Sequence, residues 1–430
     1  MKIAVVGAGI SGLACAHRLV RAGHDVVLYE ADDYFGGHSH TVDVTFDGIT
    51  HGFDTGFLVF NHHTYPELTA LFQELGVQST ASEMTFSVKL PVGGRMLEWA
   101  GGNLDQVFTQ RRNLVSLPFL RMLRDILRFN RAASALALTG PASAAEPGPT
   151  LGDYLDRHGY GAQFRHWYLL PMAACIWSCP AEQMLAFPLS TFVRFCHNHG
   201  LLQVSGRPQW RSVAGGSRNY VEQLLLGIPE RRLASPVLAV IRHGRGGARA
   251  VGVVTADGEA QYDEVVLACH SDQSLALLAD AGDEERALLA SVRYQPNRAV
   301  LHTDTSCLPA RRKAWSAWNY QGSGGDDPRV CVHYLINQLQ VLPFTQPVIV
   351  SLNPITAPDP ATVLGRFDYA HPVFDAAAVA AQRRLPALQG RGHTWFAGAW
   401  TGYGFHEDGL KSGLRVADAL IARGEVRHAA

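Results

Sequence analysis

Several things are scarce in this chain of 430 residues, and each scarcity excludes something. Lysine occurs only as Lys2, Lys89, Lys313 and Lys411, so arginine supplies nearly all of the basic content. Surplus charge is missing: 37 basic residues face 38 acidic ones, and a net charge of −1 excludes the global basic field of a general nucleic-acid binder. No nucleic-acid partner is expected. The seven cysteines (15, 175, 179, 196, 269, 307 and 331) lack a repeated short spacing, which argues against a disulfide framework or a zinc site. Cys175 and Cys179 have no second pair and read as buried thiols, so no metal is expected and a reducing cytoplasm fits best. Disorder is excluded because 47% of residues are hydrophobic and 17% charged. An unbroken membrane-length apolar run is absent as well. The uncharged stretch from Val330 to Pro358 contains four prolines with Asn and Gln, and reads as buried strands joined by turns. The apolar N-terminus resembles a signal peptide superficially, yet its glycines make it read as a strand and helix.

What is present begins with a β-α-β pattern: Ile3 to Val6, a glycine-rich turn, a helix to about Arg21, Gly23 as a stop, and Val26 to Tyr29. The turn Gly7-Ala8-Gly9-Ile10-Ser11-Gly12 is a G-x-G-x-x-G. Its first glycine permits the tight turn, the second lets backbone approach a pyrophosphate, and the third lets helix pack on strand. The helix start then offers free N–H groups and a positive dipole end to an anion. Glu30 ends the second strand, where a carboxylate accepts hydrogen bonds from ribose hydroxyls. This context points to a dinucleotide, NAD or FAD.

Downstream lie Gly36-Gly37-His38-Ser39-His40-Thr41 and Asp54-Thr55-Gly56-Phe57, then Val213-Ala214-Gly215-Gly216-Ser217, the Ser235-Pro236-Val237 block, Trp395-Phe396-Ala397-Gly398, and Gly404 to Gly413 opening a final helix through Ala422. In this order the segments resemble the flavin-containing amine oxidase and carotenoid (phytoene) desaturase superfamily. The resemblance implies noncovalent FAD and a Rossmann-like α/β nucleotide-binding domain, discontinuous in sequence, with a second α+β substrate domain. It places Glu30 on ribose, Gly36, Gly37 and His38 along the pyrophosphate and flavin, the Val237 backbone on adenine, and Gly398, Gly409 and Leu410 by the ribityl and pyrimidine parts. Two departures stand out: His38 replaces the usual arginine, and Ala399 replaces the acid after Phe-Ala-Gly. More narrowly, Asp54 to Asn61, Leu97-Glu98-Trp99 and Gly398 to Gly413 resemble a bacterial branch of predicted NAD/FAD-binding proteins. Some of these occur beside cyclopropane-fatty-acid-synthase-type methyltransferases, and members are linked to desaturation of methylated acyl chains.

Three separated nucleotide blocks imply that residues 1–62, 205–290 and 390–430 form the FAD-binding domain, and 63–204 and 291–389 the substrate domain. Ala132 to Thr150 reads as a loop. Gln110 to Arg131 carries six arginines against Asp125. A helix over 118–131 would gather Arg121, Arg124, Arg128 and Arg131 on one stripe, with Phe119, Leu120, Met122, Leu123, Ile126, Leu127 and Phe129 opposite. Such a helix either packs on its own domain or lies on an anionic membrane at the inner face. Trp400 and Tyr403, and beyond them Trp318 and Tyr320, are candidates to wall the substrate site; each also suits core packing. His38, His40 and His406 either contact flavin or hydrogen-bond structurally. The amine oxidases usually have a lysine bonded through water to the flavin, and spacing assigns neither Lys89 nor Lys313 to that place. The expected activity is hydride abstraction from a small, hydrophobic substrate, with acyl-chain desaturation first, amine oxidation second, and a non-redox isomerase or flavin-binding protein as the rival class. The motifs leave the electron acceptor undefined.

Overall fold

The computed structural model describes residues 1–138, 148–178, 180–203, 206–243, 250–323 and 331–429. Its first layer is a parallel five-stranded sheet, ordered Glu230–Arg232, Asp25–Tyr29, Lys2–Val6, Glu264–Leu267 and Thr394–Phe396. These short strands are apolar on both sides because both faces are covered. Ile3, Val5 and Val266 face the helices Ile10–Arg21 and His406–Ala429, whereas Ala4, Val6 and Leu267 face the antiparallel strands Ala239–Arg242, Val251–Thr255 and Gly258–Tyr262. The two helices lie in near contact: a Cβ on Gly413 would sit 2.1 Å from the Ser11 carbonyl oxygen. The closing helix runs to Ala429, past the expected Ala422.

The second layer is a seven-stranded sheet, ordered Val363–Val373, Arg293–His302, Ile349–Leu352, Cys331–Leu335, Trp318–Gln321, Phe86–Val92 and Arg95–Ala100. All its pairings are antiparallel except that of Trp318–Gln321 with Phe86–Val92. Alternation divides its side chains. Ala299, Val332, Tyr334, Val350 and Leu352 join the core that holds the first helix, with Trp318 and Tyr320 packed against it. His302, His333, Asn319 and Ser351 form a buried polar network instead.

Several sequence expectations need correction here. The helix around residues 118–131 spans Leu117–Leu138, so the first part of the stretch read as a loop is helical, and 139–147 lie outside the described residues. Phe119, Met122 and Phe129 are buried in the interior, but Leu120 and Leu127 are exposed beside the arginines, because they fall on the stripe turned away from that core. Asp125 is buried and pairs with Arg124 and Arg128. Val330 to Pro358 contains, besides its strands, a short helix at Ile336–Leu339. Cys179 and the expected boundary at 204/205 lie outside the described residues. Among the described residues no helix is long and apolar enough to cross a membrane.

Candidate functional site

The three glycines of the first turn have three different surroundings. Gly7 has φ +99°, and a Cβ there would lie 2.9 Å from the Ala268 oxygen. A Cβ on Gly12 would lie 1.8 Å from the Gly7 oxygen, so only glycine lets the helix sit this close to the strand end. Gly9 has no heavy atom within 4 Å of its would-be Cβ, leaving open space in front of the helix start. Ile10 and Ser11 follow, and no side chain caps this N-terminus.

Around that opening the other predicted residues converge. Glu30 accepts the Ala8 N–H at 2.8 Å with one oxygen and the Ala31 and Asp32 N–H groups with the other. Burial still raises its pKa, the amides acting in the opposite sense. Gly36 donates to the Ala8 oxygen at 2.9 Å, and a Cβ on Gly37 would reach to 3.2 Å from Gly9 Cα. Ser235 donates to the Glu30 oxygen at 2.8 Å, which brings half-buried Val237 to the same end of the sheet. The Gly398 N–H donates to Ser412 Oγ on the closing helix. Leu410 is buried, and a Cβ on Gly409 would sit 2.9 Å from Ile10 Cγ2. The closing helix starts at His406, earlier than the Gly409 start that the sequence indicates: Asp408 accepts the Phe405 N–H, and the Gly409 N–H is used on the Phe405 oxygen. Gly409 thus serves close packing, not donation to a ligand.

Imidazoles and phenols crowd the next segment. His38 is half-buried, its Nε2 atom enclosed and unpartnered, and its ring lies 5.0 Å from Tyr369 and 5.1 Å from His371. Burial holds its pKa well below that of a free imidazole, so a neutral ring stands where the resemblance leads one to expect arginine. His406 Nε2 pairs with Tyr220 Oη at 2.6 Å, its ring stacks on Phe57 at 3.8 Å, and burial lowers its pKa to about 3. His40 pairs with Tyr369 and stacks on Tyr34. Buried Asp54 accepts hydrogen bonds from Thr41, Ser217 and Gln340, joining four segments of the chain.

These residues fit the FAD that the resemblance implies. The gap before Gly9 admits a group that any side chain would exclude, and the stranded His38 Nε2 is a buried polar atom in need of a partner. The groups that would hold it are the Gly9–Ser11 backbone, the accepting carboxylate of Glu30, the Gly36–His38 segment and the Val237 backbone.

The substrate-site aromatics turn out differently. Trp400 is 2% exposed and gives its indole N–H to the Cys269 oxygen, so it packs the core instead of walling a site. Tyr403 is half-buried, 5.9 Å from Phe195. Phe405 stacks on Phe195 at 4.7 Å, and Phe195 also meets Trp177 at 4.6 Å and His199 at 3.9 Å. Sequence reasoning missed Phe405; its signal was an aromatic immediately before the closing helix. Trp318 lies edge-on to Tyr334, on the shared core face. All four lysines are engaged elsewhere: Lys89 donates to the Ser306, Cys307 and Leu308 carbonyls, Lys313 pairs with Asp105, Lys411 with Glu407, and Lys2 lies over Tyr262.

The seven-stranded sheet also brings together one group that spacing hid. His302, Cys307 and His333 have ligand-type atoms within 4.8 Å of one another. The Asp304 N–H donates to His302 Nδ1, and His302 Nε2 and His333 Nδ1 both meet Ser351 Oγ at 2.6 Å. His333 Nε2 faces Gln321 Oε1. Two neutral tautomers satisfy every contact in this chain, and burial lowers the two pKa values to about 4 and about 3.

A family model described as flavin containing amine oxidoreductase matches residues 10–314. A Mycobacterium tuberculosis protein named as a flavin-containing monoamine oxidase is 26% identical over 287 residues, 65% of this chain and 59% of its own. The carotenoid phi-ring synthase of Streptomyces griseus is 28% identical over 314 residues, 68% of this chain and 58% of its own. The chain therefore spans less than two thirds of the length of these curated relatives. Cyclohexylamine oxidase from Brevibacterium oxydans IH-35A shares the fold, with TM-score 0.69 at 18% identity and 99% of both chains covered.

Proposed function

Because this chain belongs to the flavin containing amine oxidoreductase family and takes FAD as its cofactor, we propose that it is an oxidoreductase removing hydride from an uncharged, largely apolar substrate, with an acyl chain the favoured class. A bound flavin supplies the hydride acceptor. The protein's part is to orient a C–H bond and exclude water. In this reading 1–62, 205–290 and 390–430 hold the cofactor, and 63–204 with 291–389 shape the substrate site.

The observation that carries the reading is the aromatic face of half-buried Phe405 and Tyr403, backed by the buried rings of Phe195 and Trp177. It offers an apolar surface; Arg194 bears on Tyr403 from one side, and Glu407, Asp408 and His199 beside the layer are committed or neutral. Glu407 accepts the Glu67 and Leu68 N–H groups, Asp408 accepts the Phe405 N–H, and His199 is pushed down to about 4 by burial. No lysine among the four remains for the water-bridged role it has in the amine oxidases. Amine oxidation is the second reading, favoured by the name of the mycobacterial relative. A non-redox role for the flavin is the third.

Anaerobic mixing separates them. A methylated acyl lipid is expected to bleach the flavin absorbance at about 450 nm, while simple amines leave it unchanged. Bleaching by amines alone would transfer the assignment to amine oxidation, and bleaching by neither would remove the redox reading.

The same reading includes a peripheral contact with an anionic membrane, at the cytoplasmic face, through the helix Leu117–Leu138. Exposed Leu117, Leu120 and Leu127 share its outer surface with Arg121 and Arg124, a pattern suited to the headgroup boundary of a bilayer.

A further inference from the structure

A cleft of about 340 Å³ lies where strand Arg95–Ala100 meets the turn ahead of that helix, and its lining includes Glu98, Arg111, Arg112 and Arg311. Three guanidinium groups there face one carboxylate. Glu98 is 2% exposed and already used: it accepts the Ala310 N–H at 2.8 Å and lies 3.4 Å from Arg311. Arg111 pairs with Asp105, which also takes Lys313. Arg112 differs from both. Its Nη2 donates to the Met96 oxygen at 2.7 Å and to Gln110 Oε1 at 3.1 Å, and among the described residues it has no carboxylate partner. Gln110 is itself buried and anchored on the Met96 oxygen. Neutral acceptors thus hold the Arg112 fork in place without cancelling its charge, which is the condition for receiving a phosphate.

What stands beside the cleft identifies the source of that phosphate. Leu114, Val115 and Leu117 follow Arg112 in the chain and are 50%, 83% and 66% exposed, and Leu104 is 77% exposed. Free phosphate gives such side chains nothing to bury in. A bilayer does, with leucines among the acyl chains and arginines at headgroup level. We propose that this cleft binds the phosphate of an anionic phospholipid headgroup, docking the 104–117 edge onto a membrane. The proposal rests on the bilayer contact of the preceding section and gives it a specific receptor.

The test uses the FAD-loaded full chain and vesicle flotation. Wild type is expected to float with phosphatidylglycerol-containing vesicles and to stay behind with phosphatidylcholine alone. Arg112→Gln should weaken flotation by roughly fivefold or more, as expected for one interfacial arginine. Arg112→Lys should restore part of it, and the Leu114→Ser/Val115→Ser pair should lower it independently. Unchanged flavin absorbance and melting temperature establish that each variant is folded, and Arg311→Gln replaces any that is not. Wild-type flotation by both Arg112→Gln and Arg311→Gln would overturn the proposal. So would Arg112-dependent thermal stabilisation by inorganic phosphate without vesicle binding, which would make the cleft a site for free anions. Flavin bleaching with substrate in detergent micelles is scored separately. Bleaching without flotation removes only the headgroup site, and flotation without bleaching removes only the proposed reaction.

Discussion

Gly12→Ala is expected to leave little folded protein, whereas Gly9→Ala, three residues earlier in the same motif, should fold normally and lose its flavin. The contrast follows from what each new methyl meets. At Gly12 it would lie 1.8 Å from the Gly7 oxygen and 3.2 Å from Ala268 Cβ, and neither the strand end nor the helix start can retreat without breaking the parallel sheet. Overpacking against side chains typically costs about 1–3 kcal/mol, and against backbone with no route of relaxation the cost exceeds that range. At Gly9 the methyl meets nothing within 4 Å, and the backbone there, with φ −69°, accommodates alanine. The space it fills is the approach to the helix N-terminus, so retention of FAD should fall by about tenfold or more. Soluble yield and melting temperature read the first effect, and the absorbance of the purified protein reads the second. A Gly9→Ala protein that keeps its flavin would refute the assignment of this opening to the pyrophosphate.

Asp54→Ala should destabilise the fold by about 3 kcal/mol, a drop of roughly 3 °C in melting temperature for a chain of this length. The carboxylate is 1% exposed and satisfies Thr41 Oγ1 at 2.6 Å, the Ser217 N–H at 2.9 Å, Ser217 Oγ at 2.7 Å and Gln340 Nε2 at 3.1 Å. Alanine would leave buried donors unpaired, each costing more than the hydrogen bond itself is worth. The residue also carries a pH signature. Burial raises its pKa from 3.8 to about 6, against the lowering effect of Thr41 and Ser217. The folded state therefore takes up a proton between those values. This residue's contribution favours folding most below about pH 4, and the benefit is lost as pH rises through 6, by about 3 kcal/mol in total. Asp54→Asn removes that slope. Asp408, also raised to about 6, titrates in the same window, so the difference between wild-type and Asp54→Asn stability curves isolates Asp54. Parallel curves from pH 4 to 7 would contradict the assignment.

How much of this was legible beforehand depended on distance along the chain. The β-α-β turn, Glu30 at the end of the second strand and the Gly36-Gly37 segment are local or near-local features. Glycine spacing and strand periodicity therefore announced them, and they converge around the opening at Gly9. The same reasoning failed at Trp400, because composition cannot tell an aromatic that packs under a strand from one that walls a cleft. It failed at Gly409 because the Asp408 cap moves the start of the helix back to His406. The arginine stripe was visible in the sequence, but the exposure of Leu114, Val115 and Leu117 beside the Arg112 cleft was not.

By itself, then, the sequence determined the nucleotide-binding half, since each glycine there answers a steric demand made by residues a few positions away. Only the tertiary structure decided the buried meeting of His302, Ser351 and His333, the stranding of His38 Nε2, and the engagement of each lysine with a partner of its own. Those depend on strand register and on packing between segments hundreds of residues apart. In that setting desolvation, which no local pattern encodes, fixes which groups stay neutral and which atoms remain to be satisfied.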